Sequence, residues 1–232
     1  MTVAERIDSA EPAPEVRPRD RTIAGWVEAL RDQSRTDAPG ARDAAWDWFI
    51  SLGRQAEYDR SEAAVDLATL FAAGIPSRGL DGSTDGILVT TLVRPSLDRA
   101  VRAITARWMP WMGKRFHAAA ARGDNRLRAE TRWLTPLVWP LYVTRPAPDG
   151  RIAFDFETRI EPGALAPSGD VLVIDYAPVA TNPRLIIRRI RDELVEIVPG
   201  AHLGRILFRV RGGYQNLGYF ALRNPLVTPA RA

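Results

Sequence analysis

The chain has no cysteine, one lysine (Lys114) and two histidines (His117 and His202) in 232 residues. Without cysteine there can be no disulfide staple, no thiolate nucleophile and no zinc site built on thiolates. Two imidazoles do not make a histidine-rich metal centre, so no metal site is expected, and no motif implies a cofactor. No apolar run approaches the ~18 residues of a membrane span. The N-terminal stretch MTVAERIDSAEPAPEVRPRD carries acids and prolines where a signal peptide carries basic residues and then an apolar segment. These absences lead to the expectation of a cytoplasmic protein with no membrane span. Arginine supplies the remaining 31 basic residues, the bias of a high-GC bacterial chain.

What is present is 46% hydrophobic and 26% charged, a composition that supports a substantial core. The charge is uneven. Up to residue 75 there are 9 arginines against 14 acids, and from residue 76 onward 23 basic residues face 14 acids. The second part would welcome an anion, or it docks electrostatically on the first; both readings stay open.

Residues 1–19, with Pro12, Pro14 and Pro18 among charges, read as a disordered tail. Residues 20–75 read as helical. Ile23, Trp26, Val27 and Leu30 share one helix face, and Ala45, Trp48, Phe49 and Leu52 repeat the spacing after the breaker DAPG. A third helix is expected to be capped by Ser61, with Val65, Ala68 and Phe71 inward. The glycines of GLDGSTDG (Gly79, Gly82, Gly86) lie between a helix and the strand ILVTTLV, the wrong context for a phosphate loop, so a turn is expected. Ser96 then caps a helix that ends near Trp108.

Beyond residue 130 the period shifts towards two. LYVTR and RIAFDFET read as a hairpin around PAPDG, with Ile152, Phe154 and Phe156 on one face. VLVIDY reads as a buried strand, and LGRILFRV and GYFALR as a second hairpin around Gly212 and Gly213. Residues 186–198 fit a helix or a strand, and their β-branched content favours the strand. The fold class expected is α+β, a helical N-terminal layer followed over residues 76–232 by an antiparallel β-barrel or strongly curved sheet with one or two helices. Closing the sheet would remove its edges and leave an internal pocket.

The run LFAAGIPSRGLDGSTDG and the later WMGKRF together resemble the small bacterial and fungal GXWXG-domain proteins, over about residues 67–116. The matching positions are Leu70, Phe71, Pro76, Gly82, Gly86, Gly113, Lys114, Arg115 and Phe116. The chain departs from the pattern in having no tryptophan between Gly82 and Gly86. The resemblance implies a lipocalin-like, calycin-type fold that binds an apolar ligand, and it supplies no reaction.

Within WMPWMGKRF and its surroundings, Trp111, Met112 and Trp139 are candidates for the wall of such a pocket. Lys114 and Arg115, following Gly113, are candidates for a cationic rim that holds an anionic head group. In RRIRDE, Arg189 and Arg191 share one strand face with Glu193 while Asp192 shares the other with Ile190, and one basic side chain is expected to point inward. The leading expectation is therefore binding of a small apolar or lipid-like ligand with an acidic head group. The alternative is a cyclase or isomerase using the same pocket, with His117, Asp175 and Tyr176 as acid–base groups. A nucleic-acid-binding protein is a second alternative, against which stand the dispersed basic residues and the lack of a recognition motif. Nothing in the sequence sets the oligomeric state.

Overall fold

The computed structural model describes residues 22–92, 111–130 and 142–225. The expected N-terminal tail, the helix from Ser96 to Trp108, and Met109, Trp133 and Trp139 lie outside the described residues. Three helices come first: α1 (Ile23–Ser34), α2 (Ala38–Tyr58) and α3 (Arg60–Ala72). Each begins at a side-chain oxygen that takes up an amide left unpaired in the first turn. Thr22 accepts from the Gly25 amide, Asp37 from Gly40 and Asp59 from Glu62. DAPG therefore opens a helix, with Pro39 in its first turn where the missing N–H is not needed. The cap of α3 is Asp59 and not the expected Ser61.

The apolar face of α1 buries Val27 and Leu30, and that of α2 buries Ala45, Phe49 and Leu52. Trp46 takes the deeper place expected for Trp48, which is only partly buried. On α3 the expected face is wrong in part. Val65 is 66% exposed and Ala68 is exposed, whereas Ala63, Leu67, Leu70 and Phe71 are buried. An alanine-rich helix offers two faces of similar period, and packing selects the one that buries the two leucines.

The rest of the described chain is one antiparallel sheet. Its strands are β1 (Ile75–Pro76), β2 (Gly82–Ser83), β3 (Asp85–Thr91), β4 (Trp111–His117), β5 (Arg122–Leu127), β6 (Arg145–Ala147), β7 (Gly150–Pro162), β8 (Asp170–Asp175), β9 (Ile190–Val198), β10 (Ala201–Val210) and β11 (Gly213–Arg223). Nine of them run in the order β2-β4-β5-β7-β8-β9-β10-β11-β3, with β1 paired to β9 and β6 to β7. Residues 186–198 contribute a 3-10 turn, Ile187–Arg189, and then the strand β9.

The two ends of that order, β2 and β3, are separated in sequence by Thr84 alone, so the sheet nearly closes into a barrel. Thr84 joins the seam. Its amide donates to the Lys114 carbonyl at 2.8 Å, and its hydroxyl donates to the same carbonyl at 2.9 Å and accepts from the Lys114 amide at 3.2 Å. Gly113 makes the approach possible. It has φ of 137°, and a Cβ there would fall 2.1 Å from the Thr84 carbonyl oxygen. Across the seam a Cβ on Gly86 would lie 2.6 Å from the Trp111 ring. Gly86 and Gly113 thus serve closure of the barrel, and GLDGSTDG bends at Gly79 and then supplies β2 and the start of β3, with the Asp81 carboxylate accepting from the Ala118 amide at 2.9 Å.

Strand periodicity divides the buried residues into two cores. Val171, Val173, Val195, Ile197, Leu203, Tyr219 and Ala221 face the helices and pack on Phe49, Leu67 and Leu70. Their neighbours Leu172, Ile174, Leu194, Phe220 and Leu222 face the barrel interior with Phe116, Phe154 and Phe156. No helix among the described residues is long and apolar enough to cross a membrane.

Candidate functional site

The barrel interior holds a cavity of about 150 Å³, walled mainly by apolar side chains that include Leu88, Phe154, Ile190, Ile206 and Phe220. The polar side chains in its wall are few and touch one another. Lys114, on β4, is 2% exposed. Its Nζ donates to Tyr176 Oη at 2.6 Å, to Asn125 Oδ1 at 3.0 Å and to Asp192 Oδ2 at 3.0 Å. Tyr176 in turn donates to Asp192 Oδ2 at 3.0 Å, while Asn125 Nδ2 donates to Tyr176 Oη at 3.2 Å and to the Phe154 carbonyl at 3.1 Å. Trp111 closes the group by donating its indole N–H to Asn125 Oδ1 at 3.1 Å.

Local backbone irregularities aim these groups. A bulge in β4 between Trp111 and Gly113 breaks the alternation, so that Trp111, Lys114 and Phe116 all face inward. The bulge also leaves Met112 off the cavity wall, where strict alternation would have placed it. In β7 an extra residue opposite β5 sets Ala153 and Phe154 as successive buried residues, and Phe154 has φ of 52°. The expected face of Ile152, Phe154 and Phe156 is split as a result: Phe154 lines the cavity and Ile152 lies on an outer cleft. A left-handed Phe is costly, on the order of 1–3 kcal/mol, and is kept only where its surroundings impose it. Here Tyr142 does so, stacking on the ring at a centroid distance of 4.7 Å and accepting from the Phe154 amide.

The electrostatics of the cluster follow from burial. Removal from water pushes the Lys114 ammonium below its usual range, with the Asp192 carboxylate opposing that shift. Burial, reinforced by Asp192, holds the Tyr176 phenol well above its ordinary value, so it remains an O–H donor at neutral pH. Rings of Trp111, Phe156, Tyr176 and Phe220 surround the ammonium at 5.2–5.7 Å. Asp192 Oδ1 is buried and has no hydrogen-bond partner among the described residues. A buried carboxylate oxygen left unpaired is expensive, and the cavity beside it is where a donor could be supplied.

The other residues singled out from sequence lie elsewhere. Lys114 is not at a rim; it lies inside and already has a counterion. Arg115 points out of the barrel to Asp124, 2.6 Å away, and His117, half exposed, stands 3.8 Å from the same carboxylate. Both line an outer cleft of about 590 Å³. Asp175 also faces outward, bound to Arg159 at 3.0 Å and to the Ala177 amide at 2.9 Å. No described contact joins His117, Asp175 and Tyr176, so the expected acid–base set is not assembled, and Tyr176 alone of the three reaches the cavity. Arg189 is exposed against the Arg209 carbonyl and the Phe208 ring. Arg191 is buried on the helix-facing side with Glu193 and Glu161. The inward-pointing charge of RRIRDE is the acid Asp192, because strand alternation puts it on the face of Ile190. Asn125 and Phe220 were not foreseen, and nothing in their sequence neighbourhood marks them.

No family model matches the chain, and no curated protein matches it. A crystal structure of a protein from Thermomonospora curvata is similar at a TM-score of 0.40 and 15% identity, covering 76% of this chain and 99% of that one. A likeness at that level carries no argument, and the functional reading rests on the site.

Proposed function

We propose that the barrel cavity binds a small, largely apolar ligand that is oriented by the Lys114, Tyr176, Asn125 and Asp192 cluster. The observation that carries this reading is the unpartnered Asp192 Oδ1 beside an apolar void. A void of about 150 Å³ suits a molecule on the scale of benzene, which is too small for an enclosed acyl chain. Burying on the order of 150 Å² of apolar ligand surface at ~25 cal/mol per Å² contributes roughly 4 kcal/mol before the costs of association. The head group is neutral in this reading, because the Lys114 charge is already answered by Asp192. The cationic rim that the sequence suggested is not what supports ligand binding.

The runner-up, an isomerase or cyclase in the same cavity, is favoured by one feature: a phenol, an ammonium and a carboxylate converge there within 3.0 Å of one another. Tyr176 and Asp192, with Lys114, would be its acid–base groups in place of His117 and Asp175. Against the nucleic-acid reading, Arg115, Arg122, Arg126, Arg145, Arg159 and Arg191 each lie beside an acid of the chain.

Ligand-observed saturation-transfer NMR with cyclohexanol, cyclohexanecarboxylate, decanoate and single-stranded DNA tests this reading. Saturable transfer to cyclohexanol that exceeds transfer to both carboxylates is the expected result. Preferential binding of decanoate restores the acidic head group, and salt-sensitive binding of DNA alone removes the cavity from consideration.

A further inference from the structure

We propose that Lys114 condenses with a small apolar aldehyde or ketone in the barrel cavity to form an imine. This names the ligand class for the site just described and rests on that reading. Its first support is the choice of residue. The chain uses arginine at 31 of its 32 basic positions, including the buried sites of Arg191 and Arg205. The single exception is the cation that lines the apolar cavity. A guanidinium could also pair with Asp192, but it cannot give up its proton and act as a nucleophile, whereas an amine can.

The second support is geometry. Imine formation needs a base to free the amine, a relay to the carbonyl oxygen and an acid to expel water. Asp192 Oδ2 lies 3.0 Å from Nζ and can take the ammonium proton, and Oδ1 is unencumbered. The freed amine attacks the carbonyl carbon, forming the C–N bond and opening the C=O bond onto oxygen. Tyr176, 2.6 Å from Nζ, hands its proton to that oxygen and recovers one from the nitrogen. Asp192 then returns its proton to the carbinolamine hydroxyl, which leaves as water while the nitrogen lone pair forms C=N. The balance is one ammonium and one carbonyl giving one protonated imine and one water. Burial, which pushes the ammonium below its usual range, lowers the cost of the first transfer. Asn125, the remaining acceptor from Nζ, holds the nitrogen towards Tyr176.

The test uses the full chain, cyclohexanone or benzaldehyde as the carbonyl, and sodium cyanoborohydride, which reduces a protonated imine to a stable amine. Peptide mapping locates the adduct, and the chain's α-amine serves as an internal reference because Lys114 is the only other primary amine. Expected is saturable labelling of Lys114 at least tenfold faster than the α-amine, slowed tenfold or more in Tyr176→Phe. Saturation-transfer NMR with cyclohexanone separates the two layers of the argument. If the ketone enters but only the α-amine is labelled, the imine is overturned and the cavity reading stands. If the ketone neither enters nor labels Lys114, both fall. The decisive measurement is on the unmodified protein, so a misfolded variant does not obscure it.

Discussion

Three consecutive residues of β9, Arg191, Asp192 and Glu193, carry buried charge to opposite faces of the same sheet. Towards the helices, Glu193 is fully enclosed and its oxygens are used completely. Oε1 accepts from the Ala164 amide at 2.7 Å and from Arg191 at 2.9 Å, and Oε2 accepts from Arg205 at 2.6 Å. Arg205 in turn lies 4.5 Å from the Phe71 ring of α3. Towards the interior, Asp192 shares one oxygen between Lys114 and Tyr176, leaves the other without a partner among the described residues, and borders a void. Neighbouring carboxylates of similar burial thus differ in one respect: the first has all its partners within the chain and the second does not. A saturated buried charge locks two layers together; an unsaturated one beside a cavity is a place for something else to bind.

The strongest way to break this comparison is Glu193→Ala. It leaves Arg205 buried without its acid and Arg191 with Glu161 alone, and a loss of about 4 kcal/mol in unfolding free energy is expected by chemical denaturation. Ligand binding by whatever fraction stays folded should be unchanged. A loss below 1 kcal/mol would mean that the helix-side network is not structural.

Next comes the interior pair. Lys114→Met should cost about 3 kcal/mol, because it leaves Asp192 buried without its cation. Lys114→Met combined with Asp192→Leu should recover most of that loss, since an apolar replacement of both partners removes the desolvation cost as well. The double variant should nevertheless bind no cyclohexanol or cyclohexanone. Binding would then be lost with stability largely kept at the interior site, the reverse of Glu193→Ala, where stability falls and binding stays. If the double variant is as unstable as the single one, the cluster is a structural network like that of Glu193.

Much of this arrangement was legible in the sequence, and the misses have specific physical causes. The change of period from 3.6 to 2 gave the helical layer and the antiparallel sheet, and alternation in RRIRDE placed Asp192 opposite Arg191. Lys114 stood out as the single lysine and Tyr176 as the end of a buried strand. What period cannot show is a bulge: one in β4 keeps the expected Trp111 on the cavity wall and takes Met112 off it, and one in β7 separates Phe154 from Ile152. Nor can a sequence show which distant residues a closed barrel brings together. Asn125 meets Lys114 through the pairing of β4 with β5, and Asp192 meets it across the interior.

His202 supplies a third kind of buried polar group, on the same face of β10 as Ile206 and partnered at one ring nitrogen: Nδ1 lies 2.9 Å from Ser77 Oγ, while Nε2 is buried with no hydrogen-bond partner among the described residues. Burial lowers its pKa to about 4 from 6.5. The unfolded chain therefore takes up a proton near pH 6.5 that the folded protein refuses until about pH 4. The stability tied to the neutral imidazole is complete above pH 6.5 and is lost as pH falls towards 4, by up to about 3 kcal/mol. Comparing the slope of unfolding free energy between pH 7 and pH 4.5 in the native protein and in His202→Gln measures it. An unchanged slope in the variant would assign the acid sensitivity to other groups.

The smallest effect tests the void itself. Ile206 borders the cavity without touching the helix-facing core, and Ile206→Phe adds carbon where Asp192 Oδ1 and the ring of Phe220 leave room. Filling an empty apolar space without strain typically raises stability by about 1 kcal/mol, whereas forcing bulk into a packed interior costs about 1–3 kcal/mol. The sign of the change is therefore informative. A gain together with loss of cyclohexanol binding means that the cavity is real and is the binding site. A loss of stability with binding intact means that the space is already filled by side-chain motion and that the ligand sits elsewhere, the outer cleft of Arg115 and His117 being the next place to look.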